Sequence, residues 1–259
     1  MRNTNRYCEL FEDNTKNKNF HDHQRTNFYL NKMLSCIQKN DESTTKTIKL
    51  HQFNFDAKLA KERGQTIPNV TSGNIDTSNF NPMDFLQIQM KERLGKDISI
   101  YSAMDIQNFF HEPSPKDIES YDIATTSAIR NRNIEKLREI HKSGKSLQGC
   151  NKFGESLVHM ACRRGFTDVV RYLINEAGVK VNIRDDFGRT PLHDACWTSQ
   201  PNYDLVDILI REEPRLIQIS DKRGFTPFQY TRKEHWDRWR DYLSRIVREV
   251  RTCEKDASR

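Results

Sequence analysis

The 259-residue sequence has no long hydrophobic run; nowhere do about 18 apolar residues follow one another, the length a membrane-crossing helix requires. Its first thirty residues contain no apolar core of the secretory kind. A soluble, intracellular protein is expected, cytoplasmic or nuclear, with reduced thiols. The six cysteines, Cys8, Cys36, Cys150, Cys162, Cys196 and Cys253, form no CxxC pair. Their gaps suit neither a zinc site nor a small disulfide scaffold.

Catalytic fingerprints are missing as well: G-x-S-x-G, H-E-x-x-H and the dinucleotide glycine pattern do not occur. Gly144-Lys145-Ser146 looks like the end of a phosphate-binding loop, but Glu139 stands where its upstream glycine belongs. His21-Asp22-His23 lies in polar sequence, and His193-Asp194 has no second His/Asp group beside it. No enzyme activity, cofactor or metal is expected.

Charge of one sign is not dominant either. Lys and Arg number 42 against 36 Asp and Glu, a net charge of +6, and no segment carries the dense basic run of a nucleic-acid arm. A mild preference for acidic partners follows. Apolar residues are sparse, at 35% of the chain, with mean hydropathy −0.86. Such a chain supports only a modest core, so part of it is expected to stay disordered.

That part is assigned to residues 1–111, which are rich in Asn, Thr, Ser, Asp and Lys. Three local exceptions read as transient helices or lids, with partner-binding helices as the alternative. Tyr29, Leu30, Met33, Leu34 and Ile37 share a helical stripe. Pro82 to Leu94 suits a helix with proline in its first turn. Ser102 with Asp105 resembles a capping box ahead of Ile106, Phe109 and Phe110. Pro113-Ser114-Pro115 marks the boundary, and Ser114 with Asp117 can cap the first helix beyond it. The folded domain is set at 112–243, with 244–259 as the end of a C-terminal helix and a basic tail.

Beyond the boundary the sequence repeats. Asn151-Lys152-Phe153-Gly154-Glu155-Ser156-Leu157-Val158-His159-Met160-Ala161-Cys162 recurs at Asp185 to Cys196, and again, more loosely, at Asp221 to Thr231. Gly154, Gly188 and Gly224 are spaced 34 and 36 residues apart, the two extra residues falling in Thr198 to Asn202. Each glycine suits a turn with positive φ, each following Ser156, Thr190 or Thr226 a helix cap, and Pro191 and Pro227 a first helical position. Second helices follow with Val169, Val170, Leu173 and Ile174, then Leu205, Val206, Leu209 and Ile210, on one stripe. From Lys233 to Val250 the stripe Trp236, Trp239, Leu243, Ile246, Val247 and Val250 faces away from Arg238, Arg245 and Arg248. That helix is expected to cap the array, with a basic partner-binding helix as the alternative.

These residues resemble the ankyrin repeat, most closely at Gly188-Arg189-Thr190-Pro191-Leu192-His193. An upstream unit is degenerate, with Ala128, Leu137 and Ile140 opposite Ala161, Val170 and Leu173. The last unit has Gln229 for the histidine and Thr231 for the alanine. The resemblance spans roughly Lys116 to Leu243. It implies an all-α solenoid of about four units, two clear and two terminal; a monomer is expected, with the polar N-terminal region preceding the array. It implies that His159 and His193 are structural, bonding the Ser or Thr three residues earlier and a neighbouring loop. It also implies that partners are met at the turn tips and the ends of the first helices. Those positions are Lys152, Phe153, Glu155, Arg163 and Arg164; then Arg184, Asp186, Phe187, Arg189, Trp197 and Thr198; then Lys222, Arg223, Phe225, Lys233 and Glu234. Eight of the sixteen are basic and three acidic. A non-enzymatic adaptor or scaffold that holds an acidic protein segment is expected, with a nucleic-acid-associated or enzyme-regulatory role as the alternative. Arg163→Glu with Arg189→Glu is expected to abolish capture without changing the melting temperature.

Overall fold

The structure, a computed structural model, describes residues 79–257. The disorder expected of residues 1–78 and the stripe around Tyr29 to Ile37 lie outside the described residues, as does the side chain of Val250. Helix α1, Pro82–Leu94, begins where Asn81 accepts the amides of Met83 and Asp84, and ends at Gly95 in the left-handed region. Its Met83, Phe85, Leu86 and Met90 are buried. Helices α2, Pro115–Ser120, α3, Ile123–Arg130, and α4, Ile134–Lys142, form the first unit. The Ser114–Asp117 capping box is present at α2. Helices α5, Leu157–Arg163, and α6, Thr167–Asn175, form the second unit; α7, Pro191–Cys196, and α8, Tyr203–Glu212, form the third.

Successive first helices pack in the order α3, α5, α7, and each leans on its own second helix. The second-helix stripes explain this: Val169, Val170, Leu173, Leu205, Val206 and Leu209 are all fully buried. Ala128, Ala161 and Ala195 are buried as well, small enough for neighbouring helices to approach closely. The fourth unit departs from this pattern. Pro227–Tyr230 makes a 3-10 turn, and Thr231 is extended where the other units have a helical alanine. The array ends in the long helix α9, Trp236–Ala257. Trp239, Tyr242, Leu243, Ile246 and Val247 are buried on its inner face, while Arg238, Arg245 and Arg248 are exposed opposite. Tyr242 ties it to α8 by donating to Asp207 at 2.6 Å.

Two expectations for residues 79–111 are corrected. First, α1 packs directly against α9, and Arg240 donates to the Phe80 carbonyl at 3.1 Å. The packed unit therefore includes residues 80–94, and the boundary at 112 does not divide packed from unpacked chain. The polar composition concealed this because four apolar residues of one helix are enough to close the end of a solenoid. Second, Ser102 caps no helix. Tyr101–Ser102 is a strand, β1, pairing in parallel with β2, Ile219–Ser220. Its carbonyl receives the amides of Asp105 and Ile106 in a turn, and Asn108 at φ 55° precludes a helix through Phe109.

Residues 98–111 thus form a strap running from α1 back across the array to the first unit. Ala103 donates to Ser220, the Phe109 carbonyl accepts the Asn182 side chain, and His111 donates to the Asn182 carbonyl. A Cβ at Gly188 would stand 2.9 Å from the Ala103 Cβ, so the strap lies against a position where only glycine leaves room.

Candidate functional site

The turn tips are built alike. Asn151 accepts the amides of Phe153 and Glu155; Asp185 accepts those of Phe187 and Arg189; Asp221 accepts those of Arg223 and Phe225, all at 2.8–3.1 Å. One carboxylate or amide oxygen thereby fixes both strands of each tip. The tips also hold one another. Asp186 N–H donates to the Phe153 carbonyl at 2.9 Å, and Lys222 N–H to the Phe187 carbonyl at 2.8 Å.

Behind the tips lie the two histidines. His159 Nδ1 accepts the Ser156 amide at 3.2 Å, and its Nε2 reaches the Arg189 carbonyl at 3.0 Å in the next unit. His193 repeats the arrangement with the Thr190 amide at 3.0 Å and the Phe225 carbonyl at 3.0 Å. A backbone N–H can only donate, so Nδ1 is bare and Nε2 carries the proton. Burial holds the His193 imidazole neutral, with its pKa lowered to about 4. Gln229 keeps the first half of this contact, accepting the Thr226 amide at 2.8 Å.

Across the tips runs a row of cation–aromatic stacks: Lys152 over Phe153, Arg189 over Phe187 and Arg223 over Phe225, at 5.0, 5.3 and 5.4 Å. The third tip exchanges the two positions, with arginine before the glycine and phenylalanine after it. Arg223 also lies over Tyr230, Tyr230 meets Trp197 edge-on, and Arg232 stacks on Trp197. The helix end and the third tip are therefore joined. Phe153, Phe187 and Trp197 remain 55, 59 and 53% exposed, so folding leaves these rings without an apolar neighbour on one side. Beside Trp197 an open cleft of about 480 Å³ is lined by Arg163, Arg164, Thr198, Gln200 and Asn202.

Residues 126–230 match the family model for ankyrin repeats, in three copies. They are ankyrin repeats. The ADP-ribosylation factor GTPase-activating protein AGD4 of Arabidopsis thaliana is 34% identical over 116 residues, 42% of this chain and 14% of that protein. BCL-6 corepressor-like protein 1 of Homo sapiens is 32% identical over 123 residues, 44% of this chain and 7% of that protein. BTB/POZ domain-containing protein 1 of Schizosaccharomyces pombe is 32% identical over 94 residues, 34% of this chain and 7% of that protein. The chain thus spans only a small fraction of the length of these relatives.

The ankyrin tips and first-helix ends bring together most of the positions singled out from sequence. Arg184 is not among them. Its guanidinium stacks on Phe110 at 5.4 Å and donates to Met104 Sδ at 3.6 Å, so the strap occupies it. The basic excess also shrinks. Arg163 pairs with Asp194 at 2.9 Å, Arg189 with Asp185 at 2.5 Å and Arg223 with Asp221 at 3.3 Å, and those carboxylates are 6, 5 and 1% exposed. Arg163 also holds Glu155 at 2.7 Å. Counting exposed tip positions alone misses acids buried directly beneath them. The signal was present in the repeat, since Asp185 and Asp221 stand in register three residues before each glycine. Tyr230 was missed too. It donates to Asp221 at 2.6 Å, and burial together with that carboxylate raises its pKa to about 12.

The same pairings weaken the expectation that Arg163→Glu with Arg189→Glu spares the melting temperature. Each substitution sets a carboxylate against a nearly buried carboxylate. Of the remaining chemical candidates, His21-Asp22-His23 lies outside the described residues, and the others are absorbed into the scaffold. Lys145 pairs with Asp122, whose pKa falls to about 2 under the Lys145 ammonium and the Thr125 amide. Ser146 donates to Asp117 at 2.8 Å. Cys162 and Cys196 are buried, and desolvation drives both thiol pKa values upward. Among the described residues, no group of three or more His, Cys, Asp or Glu side chains could hold a metal ion, and no helix is long and apolar enough to cross a membrane.

Proposed function

We propose that the ankyrin array is a non-enzymatic protein-binding module that meets its partner along the tips and the adjoining first-helix ends. The observation that carries this reading is the row of rings. Phe153, Phe187 and Trp197 are three of the six large apolar side chains left exposed among the described residues, two at tips and one at the end of α7. Exposed aromatics, here stacked with cationic side chains, are among the side chains that most often dominate protein–protein affinity. An adaptor or scaffold role fits a face that offers shape and apolar area and nominates no reaction.

Of the alternatives, nucleic-acid association depended on the basic excess, and the carboxylates beneath Arg163, Arg189 and Arg223 reduce it. An enzyme-regulatory role differs from an adaptor only in the identity of the partner. Affinity capture with the full chain and with Phe187→Ala plus Trp197→Ala tests the reading. Partners recovered by the parent chain should be lost from the double variant while the melting temperature moves by no more than a few degrees. Recovery of the same partners in the same yield would reject this face.

A further inference from the structure

Resting on that reading, the place where the chain enters the fold points to an occupant for one end of the face. We propose that the stripe Tyr29, Leu30, Met33, Leu34 and Ile37, outside the described residues, docks as a helix on the aromatic patch around Trp197 of its own chain and competes there with the partner.

The patch is joined by contacts. Trp197, 53% exposed, meets Tyr230 edge-on at 6.2 Å, and Arg232 stacks on its ring at 5.6 Å. Arg223 lies over both Tyr230 and Phe225, and these two rings are half-buried. Folding therefore leaves aromatic area here that an apolar guest can cover.

The chain enters beside it. Near the start of α9, Arg240 donates to the Phe80 carbonyl at 3.1 Å. Just before it, Arg238 donates to the Gln200 side chain at 3.2 Å, and His235 reaches the Ser199 carbonyl at 3.0 Å. Ser199 and Gln200 follow closely on Trp197 in the sequence. The segment ahead of Phe80 is thus tied to the Trp197 end of the face. About forty residues separate Ile37 from Phe80. A random coil of that length has an r.m.s. end-to-end distance of roughly 35 Å. Such a tether gives an effective concentration in the millimolar range, which a second copy at micromolar concentration does not match.

The stripe has the chemistry to dock. Its five apolar residues fall on one face at about 100° per residue, and so short a helix is marginal in water without a surface to cover. No acidic residue stands between Gln24 and Asn40, and Arg25, Lys32 and Lys39 fall outside the stripe on a helical wheel. Docking therefore sets apolar side chains on the rings and brings no cation against Arg223 or Arg232.

The test adds a fluorescently labelled synthetic peptide of residues 24–42 to three full-length chains: the parent, Leu30→Glu with Leu34→Glu, and that pair with Trp197→Ala. By anisotropy, the peptide should bind the Leu30→Glu, Leu34→Glu chain at least about ten-fold tighter than the parent, whose own stripe already fills the patch. Trp197→Ala should weaken that binding by about ten-fold or more. In the parent, hydrogen exchange of Leu30 to Ile37 should be slowed, and Trp197→Ala alone should remove the slowing. Equal affinity for the parent and the double variant, or binding to neither, would overturn the intramolecular occupant. Binding indifferent to Trp197→Ala would overturn the patch. Slowing that grows with protein concentration would make the occupant a second copy and overturn the proposal. Partners that are lost from Phe187→Ala with Trp197→Ala, yet captured equally by the parent and by Leu30→Glu with Leu34→Glu, would leave the face standing and overturn its competitor.

Discussion

His193 shows how one side chain serves two units. Its Nδ1 closes the start of α7, and its Nε2 fixes the next tip by holding the Phe225 carbonyl. Because its pKa is lowered to about 4 in the folded protein, the unfolded chain binds the extra proton first as pH falls. Stability is then complete above the ordinary histidine value of about 6.5 and declines between there and pH 4. Urea unfolding of the parent chain should lose about 2 kcal/mol from this group between pH 7 and pH 5. His193→Gln should remove that component. It retains the Thr190 contact, as Gln229 does with Thr226, and should cost about 1–2 kcal/mol at pH 7 for the inter-unit bond. A parent and variant with parallel pH profiles would rule out a buried neutral imidazole.

The arginines behave differently. Arg163→Glu should lower stability by about 1–2 kcal/mol, because it leaves Asp194 with a like charge, while the exposed neighbour Arg164→Glu should change it by less than about 0.5 kcal/mol. Equilibrium denaturation of the two variants decides this. The histidine role was readable from the repeat signature. The pairing of Arg163 with Asp194 was not, since residues 31 apart in sequence meet only once the units are stacked.

At the scale of elements, α5 to α8 and α9 form where the repeat and its apolar stripes place them, and α1 forms where Pro82 suits a first helical turn. The strap was not legible. A two-residue strand and a run of turns carry no period, and what holds residues 98–111 is mostly backbone pairing with groups far away in sequence. The same blindness affected the fourth unit, where a cap sequence folds as a 3-10 turn. Gly188 reports on the strap. An alanine there must adopt φ near +77° and push its Cβ against Ala103, whereas Gly178, at φ +67°, has open space around it. Gly178→Ala should cost about 1 kcal/mol for the backbone alone, and Gly188→Ala about 1–2 kcal/mol more. Equal losses in thermal or urea unfolding would mean that the strap contributes nothing at that point.

At the scale of the molecule, the ankyrin array is closed at its C-terminal end by two helices from opposite ends of the described chain. Core side chains run without a break from Met83 through the repeats to Val247. Repeat arrays are stable through contacts between neighbours and need polar caps at their ends. Here the cap is shared, so α1 and α9 should stand or fall together with the units beneath them.

Hydrogen exchange of the full chain, followed by mass spectrometry, measures this directly. Amides of Met83 to Met90 and of Trp239 to Val247 should exchange at the same opening free energy as those of Val158 to Leu173 and Leu192 to Leu209. Complete exchange of Met83 to Met90 within seconds, with the repeats still protected, would contradict a stack closed by α1.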